Sequence, residues 1–349
     1  MRAVRLTGFG GLDRLEYRED VPEPQPGPGE VRVRVGATGI NNTDIWTREG
    51  AYGRNGESAQ SGWHPGGFAF PRIQGADIVG RIDAVGQGVP SARIGERVVV
   101  DPVLYVGDET GLARAGYLGS ERDGGFAELV TVPAGNALQL DSGLSDAEVA
   151  TFPTAYATAF RMLRRAGLES GDCLLVTGAG GGVGSALVQI GVLRGATVIG
   201  VTSAAKRDWV LGLGATATVD RQRGELPEQI RSTGCPRPAV IADVVGGALF
   251  PALLEVLAPF GRYVVAGAID GPLVEADLRT VYLEQLQLIG SSMATHEEFA
   301  AVVDLIQANA LKPLLAGTYP LAELRQAQQD FLAKAFVGKL VVTVAPPGS

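Results

Sequence analysis

Residues 178–184 read Gly-Ala-Gly-Gly-Gly-Val-Gly and stand between the apolar run Leu174–Thr177 and a stretch, SALVQIGVLRGA, with helical character. Glycines at such a place let a strand turn sharply into a helix and let the backbone approach an anion. The unpaired N–H groups and the positive dipole end of the helix then face that anion. Aligned on Gly184, the segment is Ala179-x-Gly181-x-x-Gly184, an A-x-G-x-x-G form of the dinucleotide fingerprint. Gly181 allows close approach of a pyrophosphate, Gly182 and Val183 open the helix above it, and Gly184 lets helix pack on strand.

The flanking sequence supports that reading. Apolar strand-like runs at Leu174–Thr177, Thr197–Val201, Ala239–Val245, Arg262–Ala266 and Leu286–Ser291 alternate with helical stretches at Gly182–Arg194, Lys206–Leu213 and Leu249–Leu257. Such alternation predicts a parallel sheet with helices on both faces. An NAD site usually places Asp or Glu at the end of the second strand, to bond the ribose 2′-hydroxyl. Here Thr202 stands at that place, followed by Ser203, Lys206 and Arg207, with Arg221 after the next strand. Lys206 and Arg207 also read as a solvated helix start. Cations are disfavoured at a helix N-terminus unless an anion binds there, so NADPH is the expected cofactor.

The first 140 residues have a different character. Val31, Val33 and Val35 alternate with Arg32 and Arg34, the period-2 pattern of a half-exposed strand. Further strands are predicted at Ile78–Val85, Arg97–Val100 and Phe126–Val132, giving an antiparallel or mixed β domain. Ser145-Asp-Ala-Glu148 and Thr295-His-Glu-Glu298 are capping boxes. The first predicts a helix running toward Arg165. The second predicts one with Phe299, Val302, Val303 and Ile306 on a single face. A helix near 320–334 and a strand at Lys339–Val344 close the chain.

Composition excludes several classes. The 349 residues carry 30 basic and 38 acidic side chains, the wrong balance for a nucleic-acid surface. With 2 Cys, a disulfide scaffold is ruled out and a reduced, cytoplasmic setting is expected. The N-terminal stretch MRAVRLTGFGGLDRLEY has no long apolar run behind its Arg residues, so no signal peptide is expected, and no run approaches the roughly 20 apolar residues of a membrane span.

Taken together, PGPGEVRVRVGATGINNTD, GADIVGRIDAVGQGV, GGFAELVTVPA, TFPTAYATAF, GAGGGVG, GRYVVAGA and FVGKLVV resemble the medium-chain dehydrogenase/reductase superfamily over essentially the whole chain. The resemblance implies an α/β protein with a GroES-like β-rich catalytic domain from both chain ends (1–142 and 295–349). A Rossmann, doubly wound parallel-sheet domain (143–294) would be inserted between them. It places the site in the cleft between the domains, and it implies a homo-oligomer, dimer or tetramer, joined through the edge strand near Leu286–Met293.

Zinc-dependent members carry Cys in the segment that here reads GINNTD, where Asn41 stands. They have Gly-His-Glu where this chain has Gly75-Ala76-Asp77, and a third ligand where it has Thr154. The stretch 101–125, where the four-Cys structural loop would fall, contains no Cys. No metal is therefore expected, and Asp44 and Asp77 read as hydrogen-bonding framework. The pattern resembles the zinc-free quinone oxidoreductase and enoyl reductase branch. That implies an NADPH-dependent reductase of quinones or α,β-unsaturated carbonyl compounds acting on a small molecule. The alternatives are a metal-free ketone reductase or alcohol dehydrogenase, or an NADPH-binding protein without turnover.

Asn41 is a candidate donor to a substrate carbonyl, or a loop Asn bonded to its own backbone. Tyr52 is a candidate proton donor, or an exposed loop residue. Trp46, Trp63 and His64 lie around a long insert, 53–70, that is read as a lid or as an anchored loop. Thr154, Gly267, Ala268 and Lys339 complete the expected cofactor contacts, with Lys339 alternatively a strand-edge charge. His296 reads as part of a helix cap.

Overall fold

A computed structural model describes residues 1–52 and 68–344. The chain divides into two compact units, Met1–Thr154 with Thr295–Ser349, and Ala155–Ala294.

The first unit is organised on the long strand Glu30–Gly39. It pairs antiparallel with Asp77–Val85, with Leu129–Pro133 and, across Thr38 and Val342, with the C-terminal strand Lys339–Thr343. The larger sheet runs Ala137–Gln139, Arg97–Val100, Asp77–Val85, Glu30–Gly39, Lys339–Thr343, Leu315–Pro320. The predicted alternation holds: Val31, Val33 and Val35 are buried. Arg32 and Arg34 reach the other face, where both bond Asp83. The last pair, Leu315–Pro320 with Lys339–Thr343, is parallel, so the sheet is mixed. The Leu315–Pro320 strand had no sequence signal, because its LAGTYP run is mostly exposed and broken by Gly317 and Pro320.

The second unit is a six-stranded all-parallel sheet. Its order is Ala217–Asp220, Thr197–Thr202, Cys173–Val176, Val240–Asp243, Arg262–Val265, Gln287–Gly290. Numbered in sequence this is 3-2-1-4-5-6, the doubly wound order, with its switch point between the first and fourth strands. The helix Gly182–Leu193 packs closely on that first strand: a side chain at Gly191 would come within 2.7 Å of Leu174 Cδ2.

Two expectations differ from what is observed. The helix after Ser145 is a single turn, Asp146–Val149, and a second helix, Pro153–Arg165, follows it. The capping box forms as predicted, with Ser145 and Glu148 exchanging bonds. Pro153 has no N–H to donate and disfavours helical geometry in the residue before it, so the helix restarts there. The boundary between the units also lies after Thr154 rather than after 142. The short helix packs on Glu30–Gly39 and Asp77–Val85 and so belongs to the β-rich unit. The Thr295 capping box forms as well, and Phe299, Val302, Val303 and Ile306 are buried along one face of His296–Gln307. Among the described residues no helix is long and apolar enough to cross a membrane.

Candidate functional site

In the second unit the glycine turn follows the strand Cys173–Val176 and leads into the Gly182–Leu193 helix, with Gly181 as its N-cap. No side chain caps that helix. The N–H groups of its first turn, at Gly182, Val183 and Gly184, therefore have no intrahelical partner and are available to an anion. A methyl group at Gly184 would overlap the Gly178 carbonyl, which is why the helix and strand can meet only there without a side chain. Ala179 is buried, and its N–H bonds the Val201 carbonyl, tying the turn to the second strand.

At the end of that second strand Thr202 is buried, where an acid would bind a 2′-hydroxyl. Ser203 begins a short 3-10 turn, and its carbonyl accepts from Lys206 N–H at 3.0 Å. The Lys206 side chain folds back over the glycine turn, so that a side chain at Gly180 would stand 2.7 Å from Lys206 Cδ. Burial and the nearby positive charge of Arg221 both push Lys206 below the usual lysine range. Two cations thus share one corner beside the phosphate turn. Arg207 is exposed. Gly267 and Ala268 follow the strand Arg262–Val265 at its carboxyl end, with the space for a Gly267 side chain taken by the Val244 carbonyl. These residues fit a dinucleotide: open N–H groups for a pyrophosphate, and Thr202 rather than a carboxylate at the end of the second strand.

The first unit holds a buried polar network drawn from five distant segments. Asp77 opens its strand and is fully buried. Its Oδ1 accepts from Thr154 N–H at 2.7 Å and from Thr154 Oγ1 at 2.5 Å. Its Oδ2 accepts from Asn41 Nδ2 at 3.0 Å and from Lys339 Nζ. Lys339 also donates to Asn41 Oδ1, at 2.6 Å. Thr154 Oγ1 lies 2.9 Å from the hydroxyl of Tyr117, whose burial, next to the Asp77 charge, holds it well above the usual tyrosine range. Gly39 makes room for the cluster, since a side chain there would stand 2.7 Å from Asp77 Oδ2. Asn41 is thus more than a loop residue serving its own backbone. It caps the Asn42–Glu49 helix, and its N–H bonds Asp44 at 2.7 Å. Burial pushes the Asp44 carboxyl up to about 7, against the pull of that N–H bond, and the charge of Asp77 adds to the rise.

Tyr52 stacks edge-on against Trp46, with ring centroids 5.5 Å apart, and its hydroxyl meets Thr43. Burial raises it to about 12, so it stays protonated at neutral pH. Trp63 and His64 lie outside the described residues. His296 bonds Asp101 at 2.6 Å and stacks on Tyr105, a role alongside its place at the helix start.

Lys339 was expected at the cofactor or at a strand edge; here it is 4% exposed and its ammonium is held by Asp77 and Asn41. Sequence reasoning missed that pairing and missed Tyr117. The only local hint was the pair of polar residues standing where family members carry metal ligands.

Residues 27–142 match the alcohol dehydrogenase GroES-like domain and residues 182–308 the zinc-binding dehydrogenase domain. The acryloyl-coenzyme A reductase of Metallosphaera sedula is 30% identical over 98% of this chain and 100% of that protein. The quinone oxidoreductase of Rattus norvegicus is 28% identical over 98% and 97%. The solved structure of a proposed alcohol dehydrogenase from Sinorhizobium meliloti 1021 is 51% identical, with a TM-score of 0.96 over 99% of this chain and 97% of that one. The chain belongs to the medium-chain dehydrogenase/reductase superfamily, in its quinone oxidoreductase-like branch, and is an oxidoreductase of that family.

The name of the second domain implies zinc, but the cluster does not fit it. Structural and catalytic zinc takes thiolate, imidazole or carboxylate ligands. Here one carboxylate is surrounded by an amide, a hydroxyl and an ammonium. Among the described residues no three His, Cys, Asp or Glu side chains are grouped to hold a metal ion.

Proposed function

We propose that this chain is an NADPH-dependent, zinc-independent reductase of quinones or α,β-unsaturated carbonyl compounds. The observation that carries the reading is the Lys339 ammonium bonded to Asp77 and Asn41 where metal-dependent members carry ligands. Zinc polarises an alcohol or carbonyl oxygen directly. Conjugate reduction asks less, since charge developing on an enolate or quinol oxygen is stabilised by hydrogen-bond donors.

When bound, the reduced nicotinamide supplies the hydride. The chain's own residues do the rest. The first-turn N–H groups of Gly182, Val183 and Gly184 hold the pyrophosphate. Lys206 and Arg221 neutralise the 2′-phosphate, with Ser203 beside it. Asn41 donates from its amide to the substrate oxygen. Tyr52, which stays protonated at neutral pH, returns a proton to the reduced product. NADPH oxidation followed by absorbance against a panel of quinones and enones tests the proposal. Cofactor binding without turnover on any member would refute it.

A second reading, a metal-free ketone reductase, is supported by the 51% identity to the structure of the proposed alcohol dehydrogenase. Turnover of saturated ketones with none of enones favours it. We further propose a homo-oligomer through the edge strand Gln287–Gly290. Leu288 there is 49% exposed, and the preceding helix Leu278–Leu283 exposes Leu278, Tyr282 and Leu283, each by more than 60%. An apolar surface of this kind marks an association site.

A further inference from the structure

The amide of Asn41 is held at both ends by partners whose chemistry is one-sided. An ammonium only donates, so Lys339 fixes the oxygen, Oδ1. A carboxylate only accepts, so Asp77 fixes the nitrogen, Nδ2. The two ends of an Asn amide are otherwise nearly equivalent in shape, and their assignment follows from such partners. Asp77 is committed to its position by two further donors on Thr154. Of the two hydrogens on Nδ2, one goes to Asp77 and the other has no partner among the described residues.

We infer that Lys339 is a positioning residue that locks Asn41 as a hydrogen-bond donor to a substrate oxyanion. Without the ammonium at Oδ1 the amide keeps only its bond to Asp77 and the capping bond from the Asp44 N–H, and turning over costs it less. It would then offer an acceptor oxygen to developing negative charge, converting an attraction into a repulsion. The lock explains why a cation stands inside this cluster without touching substrate itself. It also assigns the ligand chemistry: a planar molecule with an oxygen that becomes anionic, such as an enolate or a quinol.

The inference rests on the proposed reductase reading, and its test is kept separate from turnover. The probe is 4-nitrophenolate bound to the NADP⁺-loaded protein, compared with uncharged nitrobenzene of the same ring. Both are titrated above the pKa of the phenol. The wild-type protein is expected to favour the phenolate. In Lys339→Met that preference should fall by about tenfold or more, the loss typical of removing an oriented donor. Nitrobenzene and NADP⁺ affinities should hold, and Lys339→Arg should restore most of the preference. Asn41→Leu keeps the Lys339–Asp77 pair and should show the same selective loss, which covers the case in which Lys339→Met does not fold. Equal losses for both probes, an unchanged preference in either variant, or no preference in wild type would each overturn the lock. Absence of turnover in wild type, with the phenolate preference intact, would count against the reductase reading alone.

Discussion

Lys339 and Asn41 are 298 residues apart in sequence, yet Lys339 Nζ donates to Asn41 Oδ1 across 2.6 Å. Both segments belong to one sheet: Ile40 N–H bonds the Leu340 carbonyl, and Gly39 lies opposite Val341. The C-terminal strand thus carries a charge into the cluster that the N-terminal segment builds.

Removing the partner of that charge should be costly. Asp77→Ala leaves a buried ammonium with only the Asn41 amide oxygen to accept from it. Breaking a buried pair in this way costs about 3–5 kcal/mol. Denaturant unfolding of the variant should show that loss. Asp77→Asn, which keeps an acceptor oxygen, should lose less.

Cofactor choice should respond to one side chain. In Lys206→Ala, NADPH affinity is expected to fall about tenfold or more, the scale of one lost charge-assisted contact. NADH affinity should hardly move. Fluorescence titration with both nucleotides checks this, and equal responses would contradict the 2′-phosphate assignment.

The glycine turn should not tolerate a methyl group at its last glycine. A Gly184→Ala side chain would meet the Gly178 carbonyl, which is backbone and cannot swing aside. A loss of about 1–3 kcal/mol is expected from the overpacking. Dinucleotide binding should weaken with it, because the helix must lift away from the strand. Thermal unfolding with and without NADPH measures both effects.

Asp44 gives a pH signature. Its carboxyl is raised from 3.8 to about 7 by burial, so between those values the folded state keeps a proton that the unfolded state releases. Stability from this group is therefore greatest below the lower value, falls as pH rises, and levels off above about 7. The total change is about 4 kcal/mol. Asp44→Asn removes the titrating group, and urea midpoints measured across this range should then lose that slope.

Association should depend on the exposed edge. Leu288→Lys places a charge on the edge strand, a change that blocks strand-edge pairing. Sedimentation should show smaller species for the variant at concentrations where wild type is associated. An unchanged distribution would move the interface elsewhere.

Much of this protein is written locally in its sequence. The glycine turn, the alternating strands and helices, the valine-arginine alternation of Glu30–Gly39 and both capping boxes depend on neighbours a few residues away. Backbone sterics, side-chain period and capping bonds therefore specify them without reference to the rest of the chain. The position of Thr202, where an acid would bind a ribose, was legible for the same reason. What tertiary structure decided is the polar cluster. Asn41, Asp77, Thr154 and Lys339 each admit several roles when read singly. Their roles follow from which donors meet which acceptors inside a buried space, and pairing of the terminal strand against Glu30–Gly39 sets that. The exposed parallel strand Leu315–Pro320 and the restart of the helix at Pro153 show the same limit on a smaller scale. A half-polar segment becomes a strand only when a partner is present, and a strong cap starts a helix without saying how far it runs.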